Sequence, residues 1–270
     1  MKAIVLARGV GSRMREPDGA SHLTSAQRSA ASSGHKALMP VGSGPPRPFL
    51  DFVLSSLADA GCAEVCLVVA PDPDAVRDHF NTSRPARVRL SFAVQEWPIG
   101  TANALLAAAG FAQGDPFLAM NADNLYPVDV LRALVKLSGP GLPAFERDDL
   151  VTTSGFPVDR VSGFALLEVD SGGWLKKIVE KPDLSCIDRN GPRALLSMNV
   201  WRFDSRIFDA CRDVPISARD EYELPEAVAL AMTRGMTFEA VRAVGPVLDL
   251  SRRADVAEVS RRLAATEIDP

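Results

Sequence analysis

Cysteine and histidine, which ligate most zinc and other transition-metal sites, are scarce in this 270-residue chain, with four cysteines and three histidines. The nearest cysteine pair, Cys62 and Cys66, has a spacing that fits neither a zinc knuckle nor a redox motif. We therefore interpret the thiols as small hydrophobic side chains. Any metal ion that this chain binds is expected to have oxygen ligands.

Long apolar runs and an excess of positive charge are also lacking. No run reaches the roughly 18 to 20 residues of a membrane-spanning helix, and the apolar stretch at the N-terminus is too short for a signal peptide. The 30 Lys and Arg residues are outnumbered by 34 Asp and Glu, which leaves a net charge of -4 and no basic footprint for nucleic acid. We predict a cytoplasmic globular protein without membrane or nucleic-acid partners, built as one large domain or as one domain with an appended lobe.

The hydrophobic pattern alternates between strands and helices over the first 140 residues. Short apolar runs predict strands at 3–6, 65–69, 88–94 and 117–120, and apolar residues at helical spacing predict helices at 49–60, 75–80, 101–111 and 128–137. Such repeated units predict an α/β fold with a doubly wound sheet. Strand-like stretches at 163–169, 175–179 and 195–203 predict a mixed, partly antiparallel extension, followed by helices at 224–234 and 254–264 with a strand-like stretch at 247–250 between them.

Residues 15–35 break this regular alternation. The segment is rich in Ser, Ala, Gly and Arg and shows no periodicity. Loops of this length are usually mobile lids or disordered. We therefore predict a long loop here.

A glycine-rich turn directly follows the first predicted strand. Glycines at 9 and 11 let the backbone approach a ligand closely, and the N–H groups of such a loop can cradle phosphate oxygens. The turn lacks the third glycine of a dinucleotide-binding fingerprint, with Met14 in its place, and it lacks the Gly-Lys of a Walker A loop. A tight strand-to-helix turn without any ligand is the alternative.

Several motifs occur in a recognisable order. Gly-x-Gly-x-Arg at 9–13 is followed by Lys-Ala-Leu-Met-Pro-Val at 36–41, Gln-Glu-Trp-Pro-Ile-Gly-Thr-Ala at 95–102, Asn-Ala-Asp-Asn at 121–124 and Glu-Lys-Pro at 180–182. Together they resemble the signature of the sugar-1-phosphate nucleotidyltransferases. The resemblance implies a Rossmann-like doubly wound mixed sheet with a smaller sugar-binding lobe inserted or appended, divided into a nucleotide-binding part at 1–138, a mixed-sheet sugar-binding part at 139–250 and a C-terminal helix at 251–270.

The implied reaction joins two strongly anionic substrates, a nucleoside triphosphate and a sugar 1-phosphate, so their charges must be neutralised. Mg²⁺ is the expected cofactor, because it binds one or two carboxylates together with substrate oxygens. Asp123, after a central strand, and Asp249, after the last one, are the candidate ligands. Helix capping is the alternative role for both carboxylates.

The resemblance also implies roles for other residues. Arg13 would grip the leaving pyrophosphate, Lys36 the triphosphate tail and Lys181 the phosphate of the sugar, whereas exposed salt-bridging side chains are the alternative for all three. Gln95 and Gly100 would contact the base, with Gly100 leaving room for the base to approach. The residues expected to bind the nucleotide are Leu6, Ala7, Gly9, Gly11, Gln95, Gly100 and Thr101, and those expected to bind the sugar phosphate are Gly163, Glu180, Lys181 and Asn199. For Glu180 and Asn199 a buried, hydrogen-bonded side chain is the alternative.

The chain departs from the family pattern at three places. Arg8 replaces a small residue beside the nucleotide, His35 replaces a proline, and the long segment 15–35 separates Arg13 from Lys36. We expect the long segment to become ordered when the triphosphate binds. The departures keep two other functions open, a non-catalytic regulatory homologue and a nucleotidyltransferase that acts on a non-sugar phosphate. The nucleobase, the sugar and the formation of a homo-oligomer are also left open.

Overall fold

The computed structural model describes residues 1–18, 22–42, 47–180, 182 and 191–270. Within these residues no helix is long and apolar enough to cross a membrane. The strands are β1 (Lys2–Leu6), β2 (Pro40–Val41), β3 (Arg47–Pro48), β4 (Glu64–Val69), β5 (Arg89–Val94), β6 (Phe117–Asn121), β7 (Asn124–Leu125), β8 (Gly141–Glu146), β9 (Ala165–Val169), β10 (Leu175–Val179), β11 (Leu195–Ser197), β12 (Val200–Phe203), β13 (Glu239–Ala243) and β14 (Leu248–Asp249).

Ten of these described strands form one sheet in the order β10-β9-β11-β8-β12-β6-β1-β4-β5, with β13 also paired to β8. The half made by β6, β1, β4 and β5 is parallel. The half made by β8 to β12 is antiparallel, and β12 joins the two halves by pairing with β6. The predicted doubly wound sheet with a mixed extension is therefore confirmed.

The helices cover both faces of the sheet. They are α1 (Ser12–Arg15), α2 (Ser25–Ser33), α3 (Phe49–Asp59), α4 (Ala75–Thr82), α5 (Thr101–Ala107), α6 (Ala109–Ala112), α7 (Val128–Lys136), α8 (Arg147–Thr152), α9 (Val158–Val161), α10 (Ile207–Asp213), α11 (Leu224–Thr233) and α12 (Asp255–Leu263), with a 3-10 turn at Lys36–Leu38. In β1, Ala3 and Val5 pack into one core with α3, α7 and α12, whereas Ile4 packs into the other core with α5, α10 and α11. The strand alternation thus divides the apolar side chains between two layers of helices.

The segment 15–35 is not the loop that the sequence predicted. It contains α2, whose first turn is capped reciprocally by the side chains of Thr24 and Gln27. This helix contains no row of large apolar residues, and only Ala31 is fully buried. Its hydrophobic periodicity is therefore weak. The capping box, Thr followed three residues later by Gln, is the sequence signal that could have located it.

Candidate active site

A cavity opens at the carboxyl edge of the parallel strands. From β1 the sheet continues to β4 and β5 on one side, while β6 lies on the other side, with Leu6 beside Asn121. Open α/β sheets bind ligands at such a switch point, outside the carboxyl ends of their strands. The cavity has a volume of about 430 Å³, and its lining includes residues 6–13, Lys36, Gln95, Gly100, Thr101 and 121–123.

The glycine-rich loop is packed against the end of α2. Gly11 has a φ of +64°, and a Cβ atom there would lie 2.8 Å from the Cα of Gly34 and overlap its carbonyl. Gly34, which ends α2 with a φ of +78°, would in turn place a Cβ atom 2.5 Å from the carbonyl oxygen of Val10. Arg15 Nη2 also donates to the Ser33 carbonyl at 3.0 Å. The two glycines therefore allow the loop and the helix end to meet backbone to backbone.

This packing predicts that Gly11→Ala lowers the free energy of unfolding by about 2 kcal/mol, because the new methyl group is both at positive φ and in conflict with Gly34. Gly61→Ala is a control for backbone strain alone, since Gly61 has a φ of +91° and no atom within 4 Å of the added Cβ; it should cost about 1 kcal/mol. Urea unfolding measures both variants. Equal losses would show that contact with Gly34 contributes nothing.

The two candidate metal ligands meet through a short strand pair. In the antiparallel pair of β7 and β14, Asp249 is the partner of Asn124. The Leu250 backbone N–H also donates to the Asp123 carbonyl at 2.9 Å. The strand pair thus brings together two residues with carboxylate side chains that are 126 positions apart in the chain. Asp123 lines the cavity, whereas Asp249 is buried outside its lining.

Both carboxylates are paired with cations. Asp123 Oδ2 lies 2.9 Å from Lys36 Nζ. Asp249 Oδ2 lies 3.1 Å from Arg160 Nη2, and Asp249 Oδ1 accepts from Ser251 Oγ at 2.7 Å. Burial and then the charge of Asp123 raise the pKa of Asp249, while Arg160 and Ser251 oppose that shift. Each carboxylate therefore has a cationic partner within the protein, and the charge of Asp123 still acts on its neighbour Asp249.

Several cationic side chains line the cavity, which also contains the carboxylates of Asp74 and Glu221. Arg13 and Lys36 line it, as the sequence predicts, and so do Arg8 and Arg15. A guanidinium group provides a planar set of donors that matches phosphate oxygens. The lining can therefore hold a polyanion such as a triphosphate tail.

At the other end of the cavity, Gln95 is fixed by its neighbours. Its Nε2 donates to the Gly100 carbonyl at 3.0 Å and to Asn103 Oδ1 at 2.9 Å. Gly100 has a φ of +117°, and a Cβ atom there would overlap the backbone of Tyr222. Chain packing therefore requires a glycine at this position, whether or not a base also approaches it. Thr101 Oγ1 accepts from the Leu224 backbone N–H at 2.9 Å, at the start of α11.

Gly163, Glu180 and Asn199, three of the residues expected to bind the sugar phosphate, lie outside the cavity lining. Asn199 has a φ of +60° between β11 and β12, and its Oδ1 atom is buried without a hydrogen-bond partner among the described residues. Gly163 donates its N–H to the Arg160 carbonyl at 3.0 Å. The pKa of Arg219 is raised mainly by its hydrogen bond with Glu223, and the nearby charge of Glu180 adds a smaller contribution. Lys181 lies outside the described residues.

The sequence motifs do not identify Arg160 and Ser251, which support Asp249. Arg160 pairs with Asp249 and with Asp255, at 2.6 Å from Asp255 Oδ1, and Ser251 donates to Asp249. No motif points to Arg160, since it lies 89 positions before Asp249 on a four-residue helix. Ser251 could have been noticed as a polar residue two positions after a candidate ligand.

The glycine loop after the first strand, the cationic lining and the paired carboxylates at a switch point together define an α/β protein that binds a phosphorylated nucleotide. The family model described as Nucleotidyl transferase matches residues 2–249, and the chain belongs to this family. The family resemblance predicted from the motifs is thus confirmed.

Named relatives cover most of the chain. It is 27% identical, over 97% of its length, to UTP–glucose-1-phosphate uridylyltransferase AglF of Haloferax volcanii, and it covers 96% of that protein. It is also 27% identical over 97% of its length to a glucose-1-phosphate thymidylyltransferase of Streptomyces antibioticus, of which it covers 65%. Among solved structures, UDP-glucose pyrophosphorylase of Acinetobacter baumanii has a TM-score of 0.72 at 18% identity, over 97% of this chain and 92% of that one. That structure has the same fold.

Proposed function

We propose that this protein transfers a nucleoside monophosphate from a nucleoside triphosphate to a sugar 1-phosphate, with release of pyrophosphate. The observation that carries the proposal is the meeting of Asp123 and Asp249 beside the glycine-rich loop at the switch point. The named relatives support the choice of a sugar 1-phosphate as acceptor, since both are sugar-1-phosphate nucleotidyltransferases.

In the proposed reaction, a phosphate oxygen of the sugar 1-phosphate attacks the α-phosphorus of the triphosphate in line with the leaving group. The new P–O bond forms as the bond between the α-phosphorus and the bridging oxygen breaks, and that oxygen leaves with the pyrophosphate. Catalysis of this kind depends on positioning and on electrostatic stabilisation. The protein must therefore supply positive charge and a fixed geometry.

The donor set fits a hard divalent cation, which we propose to be Mg²⁺. Mg²⁺ takes one or two carboxylates and completes its shell with substrate oxygens and water. Among the described residues there is no cluster of three or more His, Cys, Asp or Glu that could hold a metal by itself. Asp123 and Asp249 would therefore hold the ion jointly with the substrates. When bound, the ion supplies charge neutralisation between the two anions.

The cationic side chains have complementary tasks. Arg13 and Arg15, on the short helix that follows the glycine loop, reach the side of the cavity where the pyrophosphate would leave. Lys36 contacts Asp123 and also lines the cavity, so it can bind a phosphate oxygen while holding the Asp123 side chain in place. A preorganised donor of this kind contributes roughly 100-fold to 1,000-fold in rate.

An assay of pyrophosphate release tests the proposal. Five nucleoside triphosphates are each combined with a panel of sugar 1-phosphates and with phosphocholine, with Mg²⁺ and with EDTA. We expect turnover with at least one sugar 1-phosphate, loss of turnover with EDTA and recovery with excess Mg²⁺. Binding of nucleotide without turnover on any acceptor would favour the regulatory alternative, and turnover on phosphocholine alone would favour a non-sugar acceptor.

Asn199 is proposed to bind a sugar hydroxyl, because its buried Oδ1 accepts no hydrogen bond within the described protein and buried polar groups normally have a partner. We expect Asn199→Gly to raise the KM for the sugar 1-phosphate about tenfold, the effect of one lost hydrogen bond, and to leave the KM for the triphosphate unchanged. Glycine removes the amide without strain, since φ is +60°.

Gln113→Gly is the matched control for this variant, because Gln113 is also a non-glycine residue at positive φ, 51°, and it lies on the surface. It should change neither KM. If Asn199→Gly raised both KM values equally, Asn199 would have a structural role and no specific contact with the sugar.

A further inference from the structure

Arg8 occupies an unusual position at the base end of the cavity. It follows β1, yet its Nε donates to the carbonyl oxygen of Gln95, after β5, at 3.2 Å. Because β4 lies between β1 and β5 in the sheet, the side chain of Arg8 crosses the carboxyl end of β4. The side chain is half-buried and lines the cavity together with Gln95 and Gly100. Its guanidinium group is therefore held at the side where a base would bind.

The contact with Gln95 leaves Arg8 with a defined set of donors. Of the described residues, only the Gln95 carbonyl accepts a hydrogen bond from Arg8. The Nε–H is used in that bond, so the terminal nitrogens Nη1 and Nη2 remain. These two atoms present parallel N–H donors in one plane, and arginine has no acceptor. A ligand that meets this edge must offer two adjacent acceptors.

Gln95 requires a hydrogen-bond donor from the ligand, whereas Arg8 requires acceptors. Its Nε2 is committed to the Gly100 carbonyl, a group that can only accept, and to Asn103. This arrangement fixes the orientation of the amide and leaves Oε1 as the atom that can serve a ligand. Since an amide oxygen only accepts, the base must supply a donor there.

We propose that Arg8 and Gln95 together select a nucleobase that carries two adjacent acceptors followed by a donor. Guanine has this order along N7, O6 and N1–H, and cytosine has it along O2, N3 and N4–H. Uracil, thymine and adenine each place a donor between two acceptors, so the fork of Arg8 would face one N–H group. The inference rests on the proposed function, and it assigns GTP or CTP as the nucleotide substrate of this chain, in contrast to the uridylyltransferase and the thymidylyltransferase among its named relatives.

The test is a comparison of kcat/KM for GTP, CTP, UTP, dTTP and ATP in the parent protein, Arg8→Ala and Arg8→Lys. The parent should prefer GTP or CTP at least tenfold over the other three. In Arg8→Ala the kcat/KM for the preferred triphosphate should fall about tenfold to 100-fold, which is the discrimination provided by one bidentate contact. The kcat/KM values for the other triphosphates should change less than about threefold. Arg8→Lys should also lose selectivity, because an ammonium group provides charge without the planar fork.

Arg15→Ala is the matched control, since it removes a guanidinium group from the phosphate side of the same cavity. It should lower kcat/KM for all five triphosphates by a similar factor. The proposal is overturned if the parent protein prefers UTP, dTTP or ATP, or if Arg8→Ala lowers kcat/KM for all five triphosphates equally. A preference for GTP over CTP, or the reverse, identifies the base.

Calorimetric binding of the five triphosphates keeps this inference separate from the proposed function. Absence of turnover with every acceptor contradicts the proposed function alone, provided that GTP or CTP still binds at least tenfold more tightly than the other three triphosphates and loses this advantage in Arg8→Ala. Turnover with the wrong base contradicts only the role of Arg8. Equal affinity for all five triphosphates would also contradict the role of Arg8 in selecting the base.

Discussion

Asp123→Asn is expected to lower kcat/KM by at least about 1,000-fold, or roughly 4 kcal/mol of transition-state stabilisation, while the fold stays intact. The substitution keeps the shape of the side chain but removes the charge that Lys36 Nζ contacts at 2.9 Å. It also removes one of the two carboxylates available to a cation. Steady-state kinetics measures the loss, and urea unfolding should give a free energy of unfolding within about 1 kcal/mol of the parent, since a lost ion pair and a relieved repulsion from Asp249 oppose each other.

Asp129→Asn is the matched control for Asp123→Asn. The Asp129 side chain is 92% exposed on α7 and pairs with Arg132, away from the cavity lining. Its substitution should leave kcat/KM unchanged. A fully active, Mg²⁺-dependent Asp123→Asn variant would remove Asp123 from its assigned role. Loss of activity together with several kcal/mol of stability would indicate a structural role for the carboxylate.

The parallel half of the fold could be predicted because its residues obey local rules. β4 is buried along nearly its whole length and therefore appears as an uninterrupted apolar run. Helix α3 begins and ends within a residue of its prediction, since large apolar residues and a following glycine define it. The resemblance to the family located the loop after β1, the end of β6 and Gln95, and all three line the cavity.

Other features depend on contacts between distant residues, and no local pattern encodes them. The pair of β7 and β14 has only two residues in each strand, and tertiary packing alone brings Asp249 to Asp123. The requirement for glycine at position 100 comes from Tyr222, more than 120 positions later. Helix α2 lacks a large apolar face, so its hydrophobic pattern predicts a loop, whereas its capping box and the contact of its last turn with Gly11 define it as a helix.

Because Asp249 is buried, its negative charge must be balanced within the protein. A buried carboxylate is costly unless it is paired and hydrogen-bonded. Asp249 receives a hydrogen bond from Ser251 and an ion pair from Arg160, while Arg160 also pairs with Asp255 and lies 5.1 Å from the ring centre of Phe156. Burial alone would lower the pKa of Arg160, but the charges of Asp249 and Asp255 raise it. Arg160 thus neutralises two carboxylates at once.

Arg160→Ala is therefore expected to lower the free energy of unfolding by about 3 kcal/mol, the typical cost of removing one partner of a buried ion pair. Urea unfolding at pH 7 measures this loss. Arg242→Ala is the matched control, because its ion pair with Glu146 is exposed on both sides, and it should cost less than about 1 kcal/mol.

The double variant Arg160→Ala/Asp249→Asn separates charge from packing. If the cost arises from the unpaired carboxylate at position 249, the double variant should be more stable than Arg160→Ala by at least about 1 kcal/mol. No recovery would mean that lost packing against Phe156 or the lost pair with Asp255 dominates. Mg²⁺ is expected to raise the Tm of Arg160→Ala more than that of the parent, because in the variant no guanidinium competes with the ion for Asp249.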